Sequence, residues 1–114
     1  MSESLYNSKL LLDMMDGNRQ EVRDLAEMLF DLGPRMLQEI NSYINDGEWK
    51  KAGDVAHKLK SSLRLWQMKK LVDLVLFIET NGRNNTRLDE ILPIFNQLES
   101  GFNKALIEIK KEYS

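Results

Sequence analysis

The chain has 114 residues, of which 42% are hydrophobic, and this length predicts a single domain over residues 1–114. Its 16 basic and 18 acidic side chains give a net charge of −2, which argues against a general nucleic-acid binder. It has no cysteine, which excludes disulfides and thiolate metal sites, and no apolar run near the roughly 20 residues that span a bilayer.

Helix signals follow one another along the chain, and strand signals are nearly absent. A short first helix is predicted over about residues 4–15, and Asp16-Gly17 should end it. The second helix is predicted over about residues 19–44 with Asn18 as its N-cap. Gly33-Pro34 interrupts its apolar stripe, so we expect a bend there in preference to two shorter helices.

The third helix is predicted over residues 48–66 and a fourth, apolar nearly all round and largely buried, over about 68–80. After a loop at 81–85, Thr86 and Asp89 resemble a capping box that starts a last helix reaching about residue 112, with an early bend at Pro93. Short loops between long amphipathic helices predict an all-α, antiparallel up-down four-helix bundle. The first helix should pack across one end of it.

The chain contains a single histidine, His57, and the helical period places it opposite the apolar stripe of the third helix. Imidazole titrates near neutral pH without any perturbation, so His57 is the candidate for covalent chemistry. One turn away lie Gly53, Lys60 and Ser61. The two small residues should leave the ring open to a large partner, and the Lys60 ammonium could reach an anion attached to the ring. This arrangement favours uptake of a phosphoryl group.

The charge of the chain is concentrated around this helix. Residues 48–70 carry 7 basic and 2 acidic side chains, a local excess of +5, whereas residues 1–47 carry 4 basic and 9 acidic ones. A basic surface of this kind suits docking of an acidic partner. The candidate docking residues are Lys50, Gly53, Lys58, Ser61 and Arg64. Trp66 lies on the core stripe, and we expect it to be buried.

A carboxylate partner for His57 can be predicted from the hairpin formed by the third and fourth helices. If the hairpin turns near residue 68, His57 lies 11 residues before the turn and Glu79 lies 11 after it. A carboxylate accepting from Nδ1–H would fix the tautomer and leave Nε2 free as a nucleophile. The alternative is that Glu79 pairs only with Arg83, four residues later.

Residues 56–62, Ala-His-Lys-Leu-Lys-Ser-Ser, resemble the signature of histidine phosphotransfer (HPt) domains, which runs A-H-x-L-K-G-S/A. The segments 17–18 and 46–49 are also similar to that family, in which glutamate or glutamine often occupies the position of Glu79. The resemblance covers most of the chain, although only the A-H-x-L-K core is specific. Two departures are visible: Ser61 replaces a glycine, and Gln67-Met68 replaces a Gly-Ala pair.

The resemblance implies a phosphoryl carrier, not an autonomous kinase. His57 would accept a phosphoryl group from the aspartate of one receiver domain and yield it to another, with Lys60 stabilising the phosphate charge and Glu79 orienting the ring. The implied partners are response-regulator receiver domains and a hybrid sensor kinase. The receiver would bring Mg²⁺, and this chain would bind no cofactor. No glycine-rich phosphate loop is present, so we expect no phosphorylation from ATP.

Three other interpretations stay open at this point. An adaptor could bind a receiver-like partner through the basic helix without accepting phosphate. A nucleic-acid module could use the same helix, with an affinity that falls steeply with salt, but the acidic flanks disfavour it. One histidine and no cysteine disfavour a metal or hydrolytic site.

The N-terminus lacks the pattern of a signal peptide, and we expect a monomer in the cytoplasm with no membrane partner.

Overall fold

The computed structural model describes residues 5–113 and shows five helices and no strand within them. The helices are α1 (Lys9–Met14), α2 (Arg19–Asn45), α3 (Trp49–Leu65), α4 (Lys69–Asn84) and α5 (Leu88–Tyr113). Loops of three residues join α2 to α3, α3 to α4, and α4 to α5. The predicted all-α class is therefore confirmed.

The four long helices close into a bundle in which α2 and α4 each contact both α3 and α5. Short loops between neighbours require the antiparallel up-down arrangement that the sequence predicted. Each long helix buries large apolar side chains in one shared core. The fully buried ones include Ile40, Leu59, Ile78, Phe95 and Phe102.

Helix α1 is shorter than predicted. The predicted start at Ser4 lies outside the described residues, and residues 5–8 are not helical. The helix begins at Lys9, whose backbone N–H donates to the Asn7 side chain at 2.8 Å. The Asn7 N–H in turn donates to the carbonyl of Trp66 at 2.9 Å, which fixes the segment to the end of α3. This contact confirms the predicted position of α1 across one end of the bundle.

Helix α2 runs without interruption through Pro34, so the alternative of two shorter helices is wrong. Proline removes one backbone hydrogen bond, but tertiary packing supports the helix on both sides of it. Gly33 faces the ring of buried Phe102, and a Cβ at this position would collide with that ring. Close packing against α5 therefore accounts for this glycine better than a helix break does.

Helix α4 extends to Asn84, beyond the predicted end at residue 80, and most of the predicted 81–85 loop is helical. Gly82 does not stop the helix. A Cβ on Gly82 would lie 2.5 Å from the Trp49 carbonyl oxygen, so this glycine lets α4 approach the backbone of α3. The helix ends at Asn85, which adopts the left-handed conformation with φ 57°. Within the predicted range 68–80 every apolar residue is buried or half-buried, as expected, and the exposed positions are Lys69, Lys70, Asp73 and Thr80.

The start of α5 also differs from the sequence-based expectation. The helix begins at Leu88, and Thr86 donates its hydroxyl to the Asn81 side chain at 2.8 Å. Arg87, which precedes the helix, has a φ of 49°. Thr86 is thus used to close the α4–α5 loop, and the predicted capping box with Asp89 is wrong. Pro93 is accommodated inside the continuous helix.

Replacing Gln67 with glycine is expected to raise the free energy of unfolding by about 1 kcal/mol. Gln67 has a φ of 52°, a conformation that costs an L-residue about 1–2 kcal/mol and costs glycine almost nothing. Urea unfolding of the variant would measure the gain. Gln67→Ala is the control, since it keeps the Cβ and should give no gain. Equal stability of Gln67→Gly and Gln67→Ala would contradict the prediction.

Candidate functional site

The candidate site is centred on His57, near the middle of α3. Ala56, Leu59 and Leu63 are fully buried on the core side of this helix. The imidazole points the other way, and 53% of its side chain is exposed. The amphipathic pattern of α3 therefore presents the ring to solvent on a rigid element.

Glu79 on α4 lies beside the ring, as the hairpin geometry predicted. Its Oε2 is 2.7 Å from Nδ1 of His57. An ionised carboxylate can only accept hydrogen bonds, so Nδ1 must carry the proton. In the neutral ring, Nε2 then has a free lone pair, and this nitrogen can act as a nucleophile.

Glu79 is held by two cations in addition to His57. Lys60 donates to Oε1 at 2.8 Å, and Arg83 donates to Oε2 at 3.0 Å. Only 10% of the Glu79 side chain is exposed, so such partners are needed to offset its desolvation. The alternative that Glu79 pairs with Arg83 alone is wrong, because that pair coexists with the contacts to His57 and Lys60.

These partners set the titration of the carboxyl. Burial raises the pKa of Glu79, but the hydrogen bonds from Lys60 and His57 and the positive charge of Lys60 outweigh it. The net effect lowers the pKa of Glu79 below its ordinary value. The carboxylate is therefore ionised throughout the neutral range, in the form that accepts from Nδ1–H.

Acidification is expected to remove the stability that Glu79 contributes. Because its pKa is lower in the folded chain, the contribution is present above the unfolded pKa of about 4.5 and is lost as the pH falls through the folded pKa. Urea unfolding at pH 7, 5 and 3 of wild type and Glu79→Gln isolates this effect. The gap in free energy of unfolding should shrink towards pH 3. A gap that stays constant across this range would contradict the assignment.

Lys60 is not directed at the free side of the ring. Its ammonium binds Glu79, and 14% of its side chain is exposed. The sequence predicted that Lys60 would reach an anion on His57. Spacing along one helix cannot show that a carboxylate from α4 competes for the Lys60 ammonium. Its role towards phosphate remains a prediction, and that role requires the ammonium to leave Glu79.

Gly53 faces α4 and is buried, contrary to the expectation that it opens the ring to a partner and contributes to docking. A Cβ at this position would lie 3.0 Å from the Glu79 carbonyl oxygen and 3.2 Å from Cγ of Arg83. Its small size therefore serves the α3–α4 contact. Ser61, on the other side of His57, is exposed, and its hydroxyl donates to the Lys58 carbonyl at 3.2 Å.

The remaining predicted docking residues, Lys50, Lys58 and Arg64, are all exposed on α3. A shallow depression beside the ring is lined by His57, Lys58, Lys60, Ser61, Arg64, Leu65 and Leu10. Leu10 comes from α1 and was absent from the sequence-based site. Its exposed position on a short helix leaves no periodic signal by which it could have been found.

Asp54 is a further member of the site that the sequence analysis missed. It accepts from Nε of Arg83 at 2.9 Å, so Arg83 contacts carboxylates on both α3 and α4. The hairpin register contained a signal for this pair. With the turn at residue 68, Asp54 lies 14 residues before it and Gly82, next to Arg83, lies 14 after it.

Within residues 5–113, no cluster of three or more histidine, aspartate and glutamate side chains is arranged to hold a metal ion. In the same part of the chain, no helix combines the length and apolar character needed to cross a membrane. The polar cluster around His57 consists of one imidazole, two carboxylates and two cations.

Comparison with known protein families gives one match. A sequence model described as Hpt domain matches residues 24–108, which make up 85 of the 114 residues. The matched region starts inside α2, contains all of α3 and α4, and ends inside α5. No curated protein and no solved structure matches the chain.

Proposed function

The chain belongs to the Hpt domain family, and on that premise we propose that it relays a phosphoryl group between receiver-domain aspartates through His57. A role in two-component phosphotransfer is what membership of this family indicates. The observation that carries the assignment to His57 is the 2.7 Å contact between Nδ1 and Glu79, combined with the exposure of the ring.

The proposed step begins with the neutral imidazole. The Nε2 lone pair attacks the phosphorus of an aspartyl phosphate, the bond from phosphorus to the aspartyl oxygen breaks, and the aspartate leaves as a carboxylate. The new phosphoimidazole retains its proton on Nδ1 and has a positively charged ring, which the Glu79 carboxylate stabilises. Attack by a second receiver aspartate then breaks the N–P bond and restores the neutral ring.

Transfer of this kind requires alignment and charge neutralisation more than covalent assistance from the protein. In the proposal, Lys60 turns from Glu79 towards the bound phosphoryl group, while Arg83 continues to hold the carboxylate. The partner receiver supplies Mg²⁺ together with its aspartate pocket. This chain itself needs no cofactor.

The exposed cations around the ring favour the proposed partners. Lys50, Lys58 and Arg64 lie on the same helix as His57, where a positive surface can attract the acidic site of a receiver domain. Leu10 and Leu65 border the depression and add apolar contact area. We further propose that the partners are response-regulator receivers and a hybrid sensor kinase, and that the chain acts as a monomer in the cytoplasm.

Transfer from phosphorylated receivers tests the proposal directly. Receiver domains loaded with radiolabelled phosphate are mixed with wild type and with His57→Gln. Label should appear on wild type, survive alkali, be lost in acid, and be absent from the variant. Far-UV circular dichroism of the variant is the control for retention of the fold.

Three results would point elsewhere. A receiver that binds wild type and His57→Gln equally, with no label transferred to either, would favour the adaptor interpretation. Affinity for nucleic acid that falls steeply with salt would favour a nucleic-acid module. Label on both proteins would place the acceptor at another residue.

A further inference from the structure

Arg83 connects the two helices that build the site. Its Nε lies 2.9 Å from Oδ1 of Asp54 on α3, and its Nη1 lies 3.0 Å from Oε2 of Glu79 on α4. The oxygen that Arg83 binds on Glu79 is the same one that accepts from Nδ1 of His57. Asp54 is three residues before His57, about one helical turn away on α3. Glu79 contacts the ring directly from α4, so both carboxylates bound by Arg83 lie close to the imidazole.

The path of the Arg83 side chain depends on Gly53. The Cγ of Arg83 lies 3.2 Å from the place where a Gly53 Cβ would be. Any larger residue at position 53 would press on the arginine stem and on the backbone carbonyl of Glu79, 3.0 Å away. The glycine therefore gives the guanidinium a fixed route between α3 and α4.

Lys60 cannot replace Arg83 in holding the Glu79 carboxylate if it must also stabilise the charge of the phosphate. Lys60 binds the other carboxylate oxygen, Oε1, and an ammonium is a flexible point charge. A guanidinium presents several donors in a rigid plane, so it can hold Asp54 and Glu79 at the same time. Once Lys60 turns to a phosphoryl group, Arg83 is the cation left to fix the carboxylate.

We propose that Arg83 is a positioning residue that anchors Glu79 to Asp54 and thereby keeps the carboxylate against Nδ1 of His57. The expected effect of Arg83 on phosphoryl transfer rests on the proposed function, whereas its effect on the tautomer of the His57 ring does not. Arg83 does not touch the reacting nitrogen, and it acts through Glu79 alone. Loss of Arg83 frees Glu79 to follow Lys60, and the imidazole then samples both tautomers.

The tautomer can be read from the chemical shifts of the ring nitrogens in protein labelled with ¹⁵N-histidine. The chain has one histidine, so both signals belong to His57 without assignment. At a pH where the ring is neutral, wild type should show predominantly the Nδ1–H form. Arg83→Ala should move both nitrogens towards the averaged values of two exchanging tautomers.

Two further variants separate position from charge. Arg83→Lys keeps the positive charge but can hold only one of the two carboxylates firmly, so an intermediate shift is expected. Arg35→Ala is the matched control, because it removes a guanidinium from an exposed pair with Asp31 and should leave the His57 signals unchanged. Ring-nitrogen shifts in Arg83→Ala that equal those of wild type would overturn the proposal. Wild-type shifts in Arg83→Lys would show that the positive charge alone suffices, which would overturn the bridging role.

Transfer kinetics provide the second readout. Arg83→Ala should lower the transfer rate at saturating receiver about tenfold, the loss expected for one charge-assisted hydrogen bond, while the half-saturating receiver concentration stays near wild type. An unchanged rate at saturation would overturn the effect on transfer. If no receiver labels wild type but the tautomer shift appears, the proposed function fails and the positioning role of Arg83 stands.

Discussion

Replacing Glu79 with leucine is expected to reduce phosphoryl transfer to His57 by about ten- to a hundredfold. In the proposed relay, Glu79 fixes Nδ1–H and stabilises the charge on the phosphorylated ring, and a charge-assisted hydrogen bond contributes about 1.5–3 kcal/mol. Leucine has a similar volume but accepts no hydrogen bond. The transfer rate from a saturating concentration of phosphorylated receiver measures the effect.

Glu79→Gln is the matched variant, because its amide oxygen can still accept from Nδ1–H while the negative charge is removed. Its transfer rate should lie closer to wild type than to Glu79→Leu, which would assign the larger share of the effect to ring orientation. Receiver binding should be unchanged in both variants, since Glu79 is buried behind the ring. Wild-type transfer by Glu79→Leu would contradict the role given to this carboxylate.

Replacing Gly82 with alanine is expected to lower the free energy of unfolding by about 1–2 kcal/mol. The new Cβ would lie 2.5 Å from the Trp49 carbonyl oxygen and 3.5 Å from the Gly53 Cα, so two helix backbones must separate. Overpacking costs about 1–3 kcal/mol, and a collision with backbone atoms, which cannot rotate away, should cost about 2–3 kcal/mol. The better helix propensity of alanine returns about 1 kcal/mol. Urea unfolding at neutral pH measures the net change.

Gly101→Ala is the control for this substitution. Its Cβ would meet only the Leu71 side chain, whose Cδ2, 2.6 Å away, can rotate aside, so the propensity gain should bring its stability close to wild type. If Gly82→Ala is as stable as Gly101→Ala, the backbones of α3 and α4 are not in the close contact that the structure shows.

The helical class, the up-down order and the core stripe of α3 were predictable, because they follow from the spacing of apolar residues and the length of the loops. The ends of the helices were less predictable. The helical end of α4 includes Gly82, which is a stop signal in the sequence but a packing contact in the fold. The start of α1 depends on a hydrogen bond from the Asn7 N–H to the carbonyl of Trp66, 59 residues away. No local sequence pattern indicates this contact.

The sequence placed Glu79 beside His57 because hairpin register fixes which residues face each other across two helices. The same register brings Gly53 and Gly82 together, yet Gly53 was interpreted from its own helix and Gly82 was placed in a predicted loop. The direction of Lys60 was not predictable, since a long flexible side chain selects the nearest anion and that anion comes from another helix. The bridging position of Arg83 similarly depends on two carboxylates that only the packed helices bring within its reach.

The most direct measurement is ³¹P and ¹⁵N NMR of phosphorylated protein labelled with ¹⁵N-histidine. Because His57 is the single histidine, a coupling between phosphorus and a ring nitrogen identifies the acceptor atom without assignment. We predict coupling to Nε2, with the proton retained on Nδ1 against Glu79. Phosphorus on Nδ1, or phosphorylated protein without any coupling to the His57 ring, would contradict the account.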